Sequence, residues 1–81
     1  MLVEMTEYLV KNLVKNPDMV TVKEFPSDNE DEIMIEVLVS NDDIGKVIGK
    51  DGKTANAIRT LVQANSYLHD NKKVKINIES F

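Results

Sequence analysis

Gly49-Lys50-Asp51-Gly52 is the stretch of this chain whose residue types and spacing are best suited to chemistry. An apolar, helix-competent segment with Ile44, Val47 and Ile48 leads into it, and a strongly helical run from Lys53 to Leu68 follows at once. Glycine lacks a Cβ, so the backbone turns tightly there and a second chain can approach closely. The first amides of the following helix have no intrahelical acceptor and lie at the positive end of its dipole, which favours an anion such as phosphate. Lys50 and Lys53 add charge, and Lys46 and Arg59 stand where they can flank a bound strand. The chemistry on offer is the grip of an anionic backbone rather than bond making.

The charge distribution fits that reading better than the total does. The chain carries a net −4, but residues 1–43 hold eleven acids against Lys11, Lys15 and Lys23, whereas residues 44–81 hold seven bases against three acids. The glycine pair therefore sits in a basic half, and the local field governs an encounter with a polyanion. The polar, acidic run Pro26 to Glu32 reads as a solvated turn.

Several elements must position the glycines. Glu4 to Lys15 reads as a helix, with Met5, Tyr8, Leu9 and Leu13 at helical spacing, and Asn16-Pro17-Asp18 ends it. Met19 to Phe25 reads as a strand with Val20 and Val22 on one face. Ile33 to Val39 is the strongest strand, with Ile33, Ile35, Val37 and Val39 on one face. Ser40 then reads as a helix cap with Asp43 three residues on, opening a short helix through Ile48. The long helix ends at the turn His69-Asp70-Asn71, and Val74, Ile76 and Ile78 alternate with polar residues as a last strand. The order is α-β-β-α-α-β. Such elements bury their apolar sides most economically as an α+β layer pair, one three-stranded sheet with three helices on one face. Two helices lie between the second and third strands, enough for a crossover, so a parallel pair and a mixed sheet are allowed. A length of 81 residues predicts one domain over 1–81.

Ile44-Gly45-Lys46-Val47-Ile48-Gly49-Lys50-Asp51-Gly52-Lys53, followed by Ile58 and Arg59, resembles the signature of the KH module, and the element order resembles its type II arrangement. The Tyr-Leu-Val-Lys-Asn-Leu-Val helix before Asn-Pro is similar to that of the KhpA family, small stand-alone bacterial type II KH proteins. That resemblance implies a cytoplasmic single-stranded RNA-binding protein, an RNA chaperone or post-transcriptional regulator. It implies action as a homodimer or with a larger KhpB/Jag-type KH partner, in control of cell elongation and division. A KH module clamps about four nucleotides through its GXXG loop. In this frame Gly49 and Gly52 shape the loop, and Lys50 and Lys53 add charge. Ile44, Val47, Ile48 and Ile58 form an apolar floor for bases, with an edge from the Ile33–Val39 strand. Asp51 departs from the pattern, because an acid beside a phosphate path repels it. Tyr8, Phe25, Tyr67 and Phe81 are the aromatic residues and none lies in the loop, so stacking is a small term and recognition is shallow.

At 100° per residue, Ala55, Ile58 and Val62 cluster on one side of the long helix, and Ala57, Leu61, Ala64 and Leu68 form an adjacent stripe. Together these cover more of the circumference than one core-facing side requires. The stripe reads as a surface for self-association or a partner, unless the first helix covers it. Asn56, Arg59, Thr60, Gln63 and Tyr67 take the opposite side.

Other functions are disfavoured. Gly52-Lys53-Thr54 lacks the upstream glycine of a phosphate-binding P-loop, since Val47 occupies that position. His69 is the one histidine and there is no cysteine, so a metal site, a catalytic triad and a disulfide framework lack their residues. No cofactor, small-molecule substrate or enzymatic activity is expected. No apolar run reaches the ~20 residues of a membrane span, and the N-terminal residues do not read as a signal peptide. The rival from another class is a protein-interaction or dimerisation module with a weak or vestigial RNA groove.

Overall fold

In the computed structural model, which describes residues 2–81, the chain folds in the expected order: α1 (Leu2–Lys11), β1 (Thr21–Pro26), β2 (Glu32–Val39), α2 (Ile44–Ile48), α3 (Lys53–His69) and β3 (Lys73–Ser80). The sheet order is β1-β2-β3. β1 and β2 are antiparallel, with Val22 opposite Val37, and β2 and β3 are parallel, with Ile35 opposite Ile76. The sheet is thus mixed, as the two-helix crossover allowed.

Strand alternation decides which face is covered. Ile33, Ile35, Val37 and Val39 are all buried, while Met34 is exposed and Glu36 and Leu38 are half-buried. The inner face packs with Val10 of α1, Val47 of α2, and Ala55, Ile58 and Val62 of α3. Ile76 and Ile78 complete the core from β3.

α1 stops four residues short of the expected Lys15. The reason is a competing acceptor: the Lys15 and Asn16 amides both donate to the Asp43 carboxylate, at 3.0 Å each. Amides held there cannot also close helical bonds one turn back. The chain instead makes a short 3₁₀ turn over Pro17–Met19 before entering β1 two residues later than expected.

Asp43 also corrects the capping reading. Ser40 does not cap α2 with its side chain; its hydroxyl donates to Asp43 Oδ2 at 3.1 Å, and its carbonyl accepts from the Asp43 and Ile44 amides. Asp43 stands at the N-cap of α2 without a side-chain cap bond, and its carboxylate is fully buried. The Lys15 amide, with help from Asn16 and Ser40, holds its carboxyl below the usual carboxylate range, against the opposing cost of burial. One carboxylate therefore ties the segment after α1 to the turn that aims α2 at the glycines.

Candidate nucleic-acid interface

The chain between α2 and α3 is a solvent-facing break, not a continuous helix. Gly49 closes α2 by donating its amide N–H to the Gly45 carbonyl, then leaves with φ 77° and ψ 170°. Lys50–Gly52 make a 3₁₀ turn closed by the Gly52 amide on the Gly49 carbonyl, and α3 starts at Lys53. Lys50 and Asp51 are exposed, and both glycines are half-buried.

The glycines are required for different reasons. Gly49 lies in a region of backbone space that is essentially closed to other residues. A Cβ there would overlap Thr54 Oγ1 and stand 2.9 Å from the Thr54 backbone nitrogen. Gly52 (φ 76°, ψ 11°) needs only the left-handed conformation; a Cβ would meet nothing closer than Asn56 Nδ2 at 3.9 Å. Asp51 is left-handed as well, with φ 57°. Aspartate and asparagine tolerate that conformation better than most residues, which gives the acid a conformational reason to be there. Gly52 as N-cap has no side chain to offer, so the first turn of α3 carries no side-chain cap. The Gly52 and Lys53 amides are already taken by the Gly49 and Lys50 carbonyls, so the capacity for an external acceptor rests with the amides that follow in the first turn.

Lys46, Lys50 and Lys53 surround this turn on exposed positions. Among the described residues, the ion pairs are Lys11–Glu7 and Lys75–Glu32, so no carboxylate neutralises these three lysines. Arg59 lies between one and two turns into α3. Its Nε donates to the Ile76 carbonyl and its Nη1 to Asn56 Oδ1, each at 3.2 Å. Both acceptors are uncharged, so the guanidinium is oriented without losing its charge.

Two expectations change. Val47 and Ile58 do not form a floor: they are 0 % and 3 % exposed and belong to the core. Of the four apolar candidates, only the half-buried Ile44 and Ile48 reach the surface. Nor can β2 supply an edge, because it is the central strand, paired on both sides. The edge beside α3 is β3. Gln63 bonds it twice, donating from Nε2 to the Lys72 carbonyl at 2.9 Å and accepting the Val74 amide on Oε1 at 2.8 Å.

The groove along this edge includes residues that sequence reasoning left out. Arg59, Thr60, Gln63, Ala64, Tyr67 and Val74 line an open depression of about 430 Å³. Tyr67 brings an aromatic ring to it, far from the loop in sequence. The helical positions Arg59, Gln63 and Tyr67, four apart, were the available signal, but nothing in the sequence showed that β3 would lie against them.

The stripe Ala57, Leu61, Ala64 and Leu68 lies on the outer side of α3. All four are exposed, Leu61 by 51 % and Leu68 by 81 %. α1 does not cover them. It packs on the neighbouring flank, where Asn65 Nδ2 meets Met5 Sδ at 3.1 Å.

The family model for the KhpA/KhpB KH domain matches residues 3–78. The chain belongs to this KH family. It is 45 % identical over 75 residues to the RNA-binding protein KhpA of Clostridium perfringens, covering 93 % of this chain and 96 % of that one. The KhpA of Chlamydia trachomatis is equally similar at 45 %, with 93 % and 92 % covered, and that of Thermotoga maritima is 36 % identical, with 93 % and 95 % covered. Among solved structures, the fold is similar to part of Era. A crystal structure of Era with MgGDPNP and nucleotides 1506–1542 of 16S ribosomal RNA aligns with a TM-score of 0.69 at 20 % identity, covering 98 % of this chain and 29 % of that one. Aquifex aeolicus Era bound to GDP and AlF4⁻ aligns at 0.71 and 20 % identity, with 99 % and 30 % covered. The likeness to Era shows a shared KH architecture; this is a KH family rather than an enzyme family. Among the described residues no helix is long and apolar enough to cross a membrane.

Proposed function

We propose that this chain is one KH unit that binds single-stranded RNA, with the Gly49–Gly52 turn as its clamp. The observation that carries the reading is the turn itself: a solvent-facing break whose backbone only glycine can make at Gly49, leading into an uncapped helix start among three unpaired lysines. RNA backbone passes over the loop, with phosphates near the side chains of Lys50 and Lys53 and the first turn of α3. Bases turn towards Ile44, Ile48 and the groove held open by Arg59 and Gln63. The relatives' name, RNA-binding protein KhpA, agrees with this chemistry.

Leu61 and Leu68, exposed on the outer side of α3, support a second surface, used by another copy or by a KhpB/Jag-type KH partner. A cytoplasmic RNA chaperone acting in cell elongation and division is the cellular role that fits. A pure interaction module with a vestigial groove is the competing reading, and the same two leucines favour it.

Fluorescence anisotropy with a labelled single-stranded RNA separates the two. We expect micromolar-range binding that weakens with salt, because released counterions drive contacts to phosphate. Lys50→Asp removes that binding and leaves the thermal transition unchanged, since Lys50 is exposed. Absence of binding by the wild type at low salt leaves the interaction module standing.

A further inference from the structure

The outer stripe of α3 is complementary to itself in one orientation only. Ala57, Leu61, Ala64 and Leu68 are spaced four, three and four residues apart, so reading the stripe backwards exchanges every alanine for a leucine. If two copies pack this stripe about a two-fold axis that runs between the paired helices, level with the midpoint of Leu61 and Ala64, Ala57 faces Leu68 of the partner and Leu61 faces the partner's Ala64. Each large side chain then meets a small one, as close helix packing requires. In the parallel arrangement leucine meets leucine and alanine meets alanine, which leaves alternating crowding and voids. Charge gives the same answer. The loop end of α3 carries Lys50 and Lys53 against Asp51, while its other end adjoins the Asp28–Glu32 hairpin, where Asp28, Glu30, Asp31, Glu32 and Asp70 outnumber Lys72, Lys73 and Lys75 and the Asp31 carbonyl accepts the Lys73 amide. A parallel pair sets like ends together; an antiparallel pair sets opposite ends together and aligns the helix dipoles favourably.

This orientation has a consequence for the ligand, and it rests on the RNA-clamp and self-association readings above. The groove flank of α3 (Asn56, Arg59, Gln63, Tyr67) lies roughly a third of a turn from the stripe, with Ala64 on the border between them. The two-fold axis therefore carries both grooves to the same side of the pair. It also reverses their direction, because each groove runs along α3 from Arg59 to Tyr67, away from the glycine turn. The geometry points to a pair that holds two single-stranded tracts side by side and antiparallel, with the two clamps on the order of 35 Å apart along the helices at 1.5 Å per residue. The ligand class that matches is RNA whose two unpaired arms run alongside each other in opposite directions. The open end of a stem and a symmetric internal loop both have that form; one extended strand does not.

Three RNAs of identical tail sequence test this by anisotropy: a stem with one unpaired tail, a fork with both tails at one end, and a long stem with one tail at each end. The expected result is a fork affinity about tenfold or more above the single tail, from effective concentration alone. The stem with opposite tails should match the single tail at each end. Leu61→Lys should lose the fork advantage and keep single-tail affinity, while light scattering reports its conversion from dimer to monomer. Leu61 is half-exposed, so the substitution leaves the fold intact. A dimer that binds the single tail but shows no preference for the fork overturns the inference and spares the underlying function. Equal avidity for the stem with opposite tails overturns it as well. A wild type that is monomeric at binding concentrations removes the self-association reading, and the inference with it. Failure to bind even the single tail removes the clamp.

Discussion

Replacing each glycine of the turn by alanine separates two costs that the sequence pattern treats as one. At Gly52 the added methyl enters open space, and only the left-handed backbone is penalised, by about 1–2 kcal/mol. At Gly49 the backbone lies in a region penalised by about 1–3 kcal/mol on its own, and the methyl also meets Thr54. The Thr54 side chain can rotate, but its backbone nitrogen, 2.9 Å from the added carbon, belongs to the first turn of α3 and cannot move without that turn. Gly49→Ala should therefore cost about 1–2 kcal/mol more than Gly52→Ala, on the order of 2–4 kcal/mol in all. A domain of this size has roughly 4–12 kcal/mol to lose. Urea titration followed by circular dichroism reads both variants, and the melting temperature should fall by about 4–8 °C per kcal/mol. Thr54→Gly in the Gly49→Ala background removes the side-chain part of the clash and should restore only a fraction of the loss. Equal costs at the two glycines, or full rescue by Thr54→Gly, would refute the steric account of the turn.

Asp51→Asn keeps a residue that tolerates φ 57° and removes a like charge from the phosphate path; at about 8 Å in water this is worth roughly 0.5 kcal/mol, a two- to threefold gain in RNA affinity by anisotropy at low salt. Asp43 is stabilising in its charged form, because its folded carboxyl is held below the usual value. That contribution is complete above the unfolded carboxylate range and is lost as pH falls through the lower folded value, so acid unfolding below about pH 4 should be steeper in the wild type than in Asp43→Asn. The variant should also be less stable at neutral pH by urea titration. Ile58→Ala should cost about 2–5 kcal/mol by the same titration, while its folded fraction at low temperature binds RNA with unchanged affinity. A selective loss of binding there would return Ile58 to the groove.

Much of the fold was readable because its signals are local. Alternation at Ile33, Ile35, Val37 and Val39 named the buried face of β2, and all four are buried. The two-helix span before the last strand allowed the parallel pair that forms. Errors arose where one group answered to a partner far along the chain. Lys15 and Asn16 look helical in sequence, yet Asp43, 28 and 27 residues away, takes their amides and ends α1 early. Ser40 and Asp43 match a capping box by spacing, but the carboxylate turns to those amides instead.

The glycine turn, the element order and the apolar stripe of α3 were determined by the sequence itself. Each depends on backbone freedom or periodicity within a few residues, and those are properties of neighbours along the chain. Tertiary structure alone decided that Val47 and Ile58 go inside, that β3 rather than β2 borders the groove, and that Gln63 and Tyr67 join Arg59 along it. It also left Leu61 and Leu68 in solvent by placing α1 on the adjacent flank of α3. Those outcomes follow from which surfaces compete for the same buried space, a competition settled between segments that are distant in sequence and adjacent only once folded.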